Sequence, residues 1–147
     1  MGKALVAYVS VDGHTEKLAT FIAEGVRLKG HEVDLKKISE LKSAEDFQGY
    51  DAYLLGCPTY HRDMTKNMKT LLFIMKKAEL QGKVAGAFGT YTHAGNAPQI
   101  ILDTMEHVFK MKATSLGALN LLEDQLETQD GMKAGHDYSK AVIELIE

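Results

Sequence analysis

The segment Ala4-Leu5-Val6-Ala7-Tyr8-Val9-Ser10-Val11-Asp12-Gly13-His14-Thr15 decides the fold. Its first six residues are uncharged and mostly apolar, which is typical of a strand buried on both faces of a parallel sheet. Further along, apolar residues recur every four positions at Leu18, Ile22 and Val26, as on one face of a helix. Residues 10–15 therefore join a buried strand to a helix N-terminus. First-turn N–H groups and the positive end of the helix dipole favour an anion such as phosphate there, and the Ser10 and Thr15 hydroxyls add donors.

Length and composition indicate one globular domain over residues 1–147. The hydrophobic share of 45% and the charged share of 25% are ordinary for a soluble protein. The formal charge of −3 argues against nucleic acid as a partner. No apolar run approaches the roughly 18 residues of a membrane span, and no signal peptide is apparent. A single cysteine excludes an internal disulfide framework, so we expect a cytoplasmic protein.

The rest of the chain alternates strand-like and helical patterns. Further strands are predicted at 33–38, 51–57, 84–89 and 114–121, and helices at 68–75, 101–108 and 138–145. Such alternation predicts an α/β three-layer sandwich, in which a parallel sheet carries helices on both faces. Five strands in about 150 residues indicate the order 2-1-3-4-5, with a ligand site at the carboxyl ends of the first and third strands.

Three loops meet at that edge, and their residues exclude several nucleotide and phosphate sites. The first loop has only Gly13 where a dinucleotide fingerprint needs three glycines, and no Lys for a Walker-type loop. A phosphorylated receiver domain would need an Asp at the end of the third strand, where Gly56-Cys57-Pro58 stands. Cys57 and Arg62 resemble a tyrosine-phosphatase loop, but four residues separate them instead of five. What remains is a mononucleotide with its phosphate on the first loop and a flat ring between the other two.

The residues of these loops resemble the flavodoxin family. Ser10-x-x-Gly13-x-Thr15 is similar to its phosphate-loop pattern. The segments Gly56-Cys57-Pro58-Thr59 and Phe88-Gly89-Thr90-Tyr91-Thr92-His93-Ala94-Gly95 are most similar to the FMN domain of flavodiiron proteins. The resemblance covers essentially the whole chain. It implies a flavodoxin-like fold, non-covalent FMN and a role in electron transfer.

The resemblance also implies cofactor-binding residues on all three loops and no catalytic residue. The expected phosphate residues are Ser10, Val11, Asp12, Gly13, His14 and Thr15. The expected ring residues are Pro58, Thr59, Tyr60, His61 and Arg62 on one side, and Gly89, Thr90, Tyr91, His93 and Gly95 on the other. Tyr60 and Tyr91 are the candidates for stacking on the ring.

A metal site is the main alternative use of these loops, because His14, His61 and His93 could converge there. None of the three has the i, i+4 spacing of a helical ligand pair, and each lies on a loop already assigned to a nucleotide. We therefore expect no metal. Cys57, at a strand end, is expected to be a small buried hydrophobe and not a nucleophile.

The second loop departs from many flavodoxins because residues 58–64 contain no Gly. Any positive φ in this loop must then fall on a residue with a Cβ, at an energetic cost. In the family such a glycine allows a peptide flip that stabilises half-reduced flavin. Its absence predicts a cofactor with more two-electron character than a typical member.

The expected function is an electron carrier between soluble redox proteins, for example a diiron or iron–sulfur protein, acting as a monomer or weak homodimer. One alternative is an FMN-dependent enzyme that acts on a quinone, a nicotinamide or a porphyrinogen. The first loop also resembles flavodoxin-type protoporphyrinogen oxidases, but the long insertion of those enzymes after the fourth strand is missing. A second alternative is a flavin-free interaction module. The acidic residues Glu123, Asp124 and Glu127 are read as a solvated loop or a docking patch for a basic partner.

Overall fold

A central parallel sheet organises the computed structural model, which describes residues 2–9, 13–60, 62–92 and 95–146. The sheet follows the order β2-β1-β3-β4-β5, and β6 also pairs with β4. This confirms the predicted order 2-1-3-4-5. The strands are β1 (Lys3–Tyr8), β2 (Glu32–Lys37), β3 (Ala52–Gly56), β4 (Val84–Tyr91), β5 (Lys112–Ala113) and β6 (Leu119–Leu122).

Helices cover both faces of the sheet. They are α1 (His14–Leu28), α2 (Lys66–Lys76), α3 (Ala97–Asp103), α4 (Glu123–Leu126) and α5 (Gln129–Ile143). A π-helical turn at Thr104–Val108 continues α3, and two 3₁₀ turns, Ile38–Glu40 and Ala44–Phe47, lie between β2 and β3. Within the described ranges, no helix is both long enough and apolar enough to cross a membrane.

Alternate residues of β1 supply the two halves of the core. Ala4 and Val6 pack with α1 and α5, whereas Leu5 and Ala7 pack with α2 and α3. All four side chains are completely buried, because a parallel strand inside two helical layers has no solvent face. This explains the uninterrupted apolar run in the sequence. The half-exposed β2, which is rich in charge, lies at the edge of the sheet, as its sequence predicts.

The fifth strand differs from the prediction of one strand at 114–121. It consists of β5 and β6, which both pair with β4 and are separated by a turn. The Gly117 N–H donates to the Thr114 carbonyl at 3.1 Å, and Gly117 has a φ of 74°, a conformation that glycine adopts without steric cost. Ser-Leu-Gly at 115–117 thus breaks the strand where the apolar pattern gave no sign of it.

A tyrosine hydroxyl fills the gap that this turn leaves beside β4. The Ala87 N–H donates to Tyr138 Oη at 3.2 Å, and that hydroxyl donates to the Gly117 carbonyl at 2.7 Å. Ala87 lies between the β4 residues that pair with β5 and those that pair with β6. A side chain of α5 thereby satisfies a buried backbone donor that a continuous strand would have paired.

The last helix, α5, begins at Gln129, well before the predicted start near residue 138. Thr128 caps it by accepting a hydrogen bond from the Gly131 N–H. Its first two turns pack through Gly131 and Gly135, and a Cβ on Gly135 would lie 2.8 Å from the Phe21 Cβ of α1. Because this part of the helix packs through glycines, it shows no apolar periodicity in the sequence. This explains why the predicted helix starts too late in the chain.

Candidate functional site

Three loops leave the carboxyl edge of the sheet side by side. The Val9 N–H donates to the Gly56 carbonyl at 3.0 Å, and the Cys57 N–H donates to the Phe88 carbonyl at 3.0 Å. These bonds continue the β1–β3 and β3–β4 pairing past the strand ends. The loops after β1, β3 and β4 therefore start in register, as the topology predicts.

The first loop enters α1 through Gly13, which has a φ of 90° and occupies the N-cap position. Its carbonyl accepts from the Lys17 N–H at 3.1 Å, which starts the helix. The amides of the first turn have no acceptor within an α-helix and carry the positive end of its dipole, so an anion is favoured here. Ser10, Val11 and Asp12, predicted for the same loop, lie outside the described residues.

Thr15 joins the first loop to the third. Its Oγ1 lies 3.4 Å from the Thr90 Oγ1, and only 1% and 3% of the two residues are exposed. Each hydroxyl is both a donor and an acceptor, so whichever one accepts keeps its own hydrogen for another acceptor. Two of the predicted site residues, 75 positions apart in the chain, are thus brought together.

The second loop is closed by a tight turn. The Tyr60 N–H donates to the Asp63 carbonyl at 2.8 Å, and the Asp63 N–H donates back to the Tyr60 carbonyl at 2.9 Å. Arg62, inside this turn, has a φ of 63°, so a residue with a Cβ does carry the positive φ, as expected from the missing glycine. Tyr60 is 42% exposed, and His61 lies outside the described residues.

Cys57 fastens the base of the second loop. Its Sγ accepts from the Thr65 N–H at 3.5 Å, and Thr65 in turn caps α2 by accepting from the Met68 N–H. The side chain is buried, and burial raises the pKa of the thiol. The burial confirms the prediction of a small buried side chain. The raised pKa favours the protonated thiol, and the expectation that Cys57 is not a nucleophile stays a prediction.

The second loop is also tied to α3. The Ala97 N–H donates to Thr59 Oγ1 at 3.0 Å, in the first turn of that helix. Thr59 and its neighbour Pro58 are half-buried. The threonine predicted to flank the ring is therefore held by the helix that follows the third loop.

The third loop depends on two glycines. A Cβ at Gly89 would overlap the Cys57 carbonyl oxygen, so the chain needs a residue without a side chain where the second and third loops approach. A Cβ at Gly95 would lie 2.9 Å from both the Asn120 Oδ1 and the Tyr91 Cδ1. Tyr91 is half-buried beside this glycine. His93 falls outside the described part of the chain.

Asn120 is a site candidate that the sequence analysis missed. Its Oδ1 is buried, with no hydrogen-bond partner among the described residues. It pairs in register with Gly89 and lies next to Gly95, so it belongs to the third-loop region. The signal was its polar side chain within the otherwise apolar segment Leu119–Leu122.

Tyr8 and Glu16 form a second missed feature, beside the first loop. Tyr8 Oη donates to Glu16 Oε2 at 2.7 Å, and burial together with this carboxylate raises the pKa of Tyr8 to about 12. Both residues line a cavity of about 360 Å³ that extends from Gly13 to Asn67 of α2. The pair spans a strand and a helix, which no local pattern could reveal.

The acidic residues after β6 are not the loop that the sequence suggested. Glu123 and Asp124 begin the short helix α4, which lies beside α1, and Glu127 directly follows that helix. Glu123 Oε1 is 3.3 Å from His14 Nδ1, and Glu127 Oε2 is 2.8 Å from Lys17 Nζ. Two of the three carboxylates therefore pair with residues at the start of α1, and the docking patch for a basic partner stays a prediction.

The described residues contain no group of three His, Cys, Asp or Glu side chains able to hold a metal ion. His61 and His93, two of the three histidines considered as ligands, lie outside the described ranges. The expectation of no metal therefore stays a prediction.

The fold closely matches those of several solved structures. A flavodoxin from the domain Archaea superposes with a TM-score of 0.88 at 23% identity and covers 98% of both chains. Rubredoxin oxygen:oxidoreductase from Desulfovibrio gigas superposes with a TM-score of 0.86 at 19% identity. The superposition covers 99% of this chain and 36% of that longer protein. At such identities the likeness concerns the fold.

Sequence comparisons identify the family. The Flavodoxin domain model matches residues 5–130. A flavodoxin of Maridesulfovibrio salexigens is 32% identical over an alignment 124 positions long, which covers 80% of this chain and 83% of that protein. An NAD(P)H dehydrogenase (quinone) of Cupriavidus metallidurans is 29% identical over an alignment 167 positions long, which covers 97% of this chain and 83% of that protein. The chain therefore belongs to the flavodoxin family, whose cofactor is FMN.

Proposed function

We propose that the protein carries electrons between redox proteins by means of FMN held on the three loops. The observation that carries this proposal is that the elements bearing the loops are held together: Thr15 at the start of α1 contacts Thr90 near the end of β4, and Ala97 at the start of α3 donates to Thr59 in the second loop. A flat cofactor that spans connected loops reorganises little when its charge changes, which is what electron transfer requires.

The described residues fit the phosphate and the ring of FMN. The N-terminus of α1 after Gly13 suits the phosphate. The half-buried Pro58, Thr59 and Tyr91 suit an apolar ring. The unpartnered Asn120 Oδ1 suits an N–H group at the polar edge of such a ring.

When bound, FMN supplies the electron-accepting and electron-donating chemistry. In this proposal, Gly13 and Thr15 hold the phosphate end, and the turn Tyr60–Asp63 covers one side of the ring. The guanidinium of Arg62 adds a positive charge near the ring, which favours the reduced, anionic cofactor and raises the reduction potential. Ser10, Val11, Asp12, His61 and His93 stay in the proposed site as residues expected from the family pattern.

The test is the absorption spectrum of the purified protein, followed by stepwise anaerobic reduction with dithionite. Flavin bands at one FMN per chain, and bleaching that a redox protein can reverse, are the expected results. A colourless protein that takes up no added FMN would overturn the proposal.

A second candidate, an FMN-dependent quinone reductase, is favoured by the relative named NAD(P)H dehydrogenase (quinone). Oxidation of NADH and NADPH by the FMN-loaded protein with benzoquinone separates the two candidates. A carrier gives rates close to those of free FMN at the same concentration. Sustained turnover that saturates with the nicotinamide would establish the enzyme instead.

A further inference from the structure

A groove between α2 and α3 exposes apolar side chains on the outer surface. We call it the α2–α3 groove; its volume is about 450 Å³, and its apolar lining is Met64, Leu72, Phe73, Ile100, Val108 and Phe109. Phe73 is 74% exposed and Val108 55% exposed. Two large apolar side chains that face solvent across one groove mark a contact surface more often than a solvated one.

The α2 wall of the groove alternates positive charge with this apolar surface. Lys69, Phe73 and Lys76 follow one another at intervals of four and three residues, so they share one face of the helix. Lys69 Nζ pairs with Asp63 Oδ2 at 2.5 Å, and both side chains remain more than 40% exposed. Phe73 thus lies between two lysine positions on this face of α2.

Charge in this region is opposite in sign to that of the whole chain. Residues 62–77 contain one acidic side chain, Asp63, although the chain carries a formal charge of −3. Their basic side chains are Arg62, Lys66, Lys69, Lys76 and Lys77. Of these, Lys69 and Lys76 line the groove, together with Asp63, so the α2 wall is net positive. A net positive rim on one wall of an apolar groove favours an acidic partner surface and repels a basic one.

The opposite wall is built on an irregular helical turn. The Phe109 N–H donates to the Thr104 carbonyl at 3.2 Å, which is the i→i+5 bond of a π-helix. Such turns occur often at functional sites, because they widen a helix locally and redirect its side chains. Here the π-helical turn carries Thr104 and Val108, both of which line the groove.

The groove adjoins the second loop of the FMN site. Asp63 closes the turn with Tyr60 and also lines the groove, as does its neighbour Met64. A partner seated in the groove would therefore contact the loop that flanks the ring. Short distance between two redox centres is the main requirement for electron transfer, so this position suits a redox partner.

We propose that the α2–α3 groove is the docking surface for an acidic electron-transfer protein, which inserts an apolar side chain between Phe73 and Val108. The inference rests on the proposed carrier function and names the charge class of the partner. It is the reverse of docking a basic partner on the acidic residues after β6, two of which, Glu123 and Glu127, pair with α1.

The experiment uses the ¹⁵N-labelled, FMN-loaded protein, titrated with an acidic [2Fe–2S] ferredoxin and separately with a basic c-type cytochrome. Amide shifts and line broadening map the contact surface at 50 mM and 500 mM NaCl. We expect the ferredoxin to perturb 62–77 and 100–109, with affinity that falls at least about fivefold at the higher salt concentration. The cytochrome should leave these residues unperturbed.

Two substitutions have a matched control. Lys76→Glu and Phe73→Ala should each weaken ferredoxin binding about tenfold, because one reverses a rim charge and the other removes the central aromatic contact. Lys133→Glu makes the same charge change on α5, at the opposite face of the sheet, and should alter affinity less than about twofold. Circular dichroism confirms that each exposed-site variant is folded.

Three outcomes would overturn the inference. These are no ferredoxin binding up to millimolar concentration, perturbations that map away from the groove, and equal effects of Lys76→Glu and Lys133→Glu. A dimer that dissociates on Phe73→Ala would assign the groove to a second copy of the chain instead. The flavin absorbance of the same samples reports the carrier proposal separately, since FMN can be present and reducible whether or not the groove binds.

Discussion

Arg62 holds a left-handed backbone conformation, with a φ of 63°, in the turn closed by Tyr60 and Asp63. A side chain there costs ~1 kcal/mol relative to glycine. The strain and the positive charge both lie in the loop expected to flank the flavin ring. The residue can therefore be tested for its effects on stability and on the cofactor in one variant.

Arg62→Gly should raise the free energy of unfolding by about 0.5–1 kcal/mol, measured by urea denaturation, because the strain is relieved. In an anaerobic redox titration it should also lower the second reduction potential of FMN and widen the gap between the two potentials. The loss of the positive charge lowers the second potential, and the freedom of the peptide to flip widens the gap.

Lys110→Gly is the matched control for this prediction. Lys110 has a φ of 58° and lies in the turn before β5. Its carbonyl accepts a hydrogen bond from the Gly82 N–H. The change should stabilise the fold by a similar amount and leave both potentials unchanged. Equal shifts of the potentials in the two variants would contradict a specific role for Arg62.

Gly13 offers a second comparison at this scale, with Gly30 as its partner. The two glycines flank α1 and have φ values of 90° and 84°, and no atom of the described residues lies within 4 Å of a Cβ added to either. Alanine at either position should cost ~1 kcal/mol in urea unfolding of the FMN-free protein. Only Gly13→Ala should raise the FMN dissociation constant, by about tenfold, since only this glycine positions the first-turn amides. Equal FMN affinities would remove Gly13 from the phosphate site.

At the scale of elements, Tyr138 is the contact that completes the sheet. Its hydroxyl accepts from Ala87 and donates to Gly117, in the gap between β5 and β6. Tyr138→Phe leaves the Ala87 amide buried without an acceptor, which should cost about 1–3 kcal/mol of unfolding free energy. Urea denaturation measures the loss, and amide exchange at Ala87 should accelerate more than at Leu5. An unchanged exchange rate at Ala87 would contradict this role.

The same gap marks how far the elements could be predicted from sequence. β1, β3 and β4 are buried on both faces, so their apolar runs were sufficient. The fifth strand was predicted as continuous. Its interruption could not be recognised locally, because the hydroxyl that fills the gap is 21 residues away in the chain. The start of α5 was missed because it packs through glycines.

The candidate site divides along the same line. The three loops, and residues such as Thr15, Thr59 and Thr90, followed from topology and family pattern. Asn120 and the Tyr8–Glu16 pair did not, because each acts through contacts between distant elements. Charge pairing of α4 with α1 is equally invisible in a local window.

At the scale of the whole molecule, the buried tyrosine hydroxyls predict that the protein unfolds at high pH. Burial raises the pKa of Tyr8, Tyr53 and Tyr138 to about 12, and burial with the Asp34 carboxylate raises that of Tyr50. A raised folded pKa contributes stability that is complete below the unfolded value of about 10 and is lost as the pH rises toward 12. We therefore expect cooperative unfolding in that range.

Absorbance at 295 nm, which follows tyrosine ionisation, checks this prediction against circular dichroism at 222 nm. The chain contains no tryptophan, so the phenolate signal is unobscured. Ionisation of these four tyrosines should coincide with the loss of helical signal. Ionisation that is complete while the helical signal persists would contradict it.

Cys57 gives the molecule a natural reporter of its own motion. It is the chain's single thiol, it is buried, and its sulfur contacts the Thr65 N–H at the base of the second loop. A disulfide reagent in solution can reach it only during excursions in which this loop separates from the sheet. The rate of thiol labelling therefore reports how often the loop opens. If FMN slows the labelling, the ratio of the two rates measures how strongly the cofactor suppresses this opening.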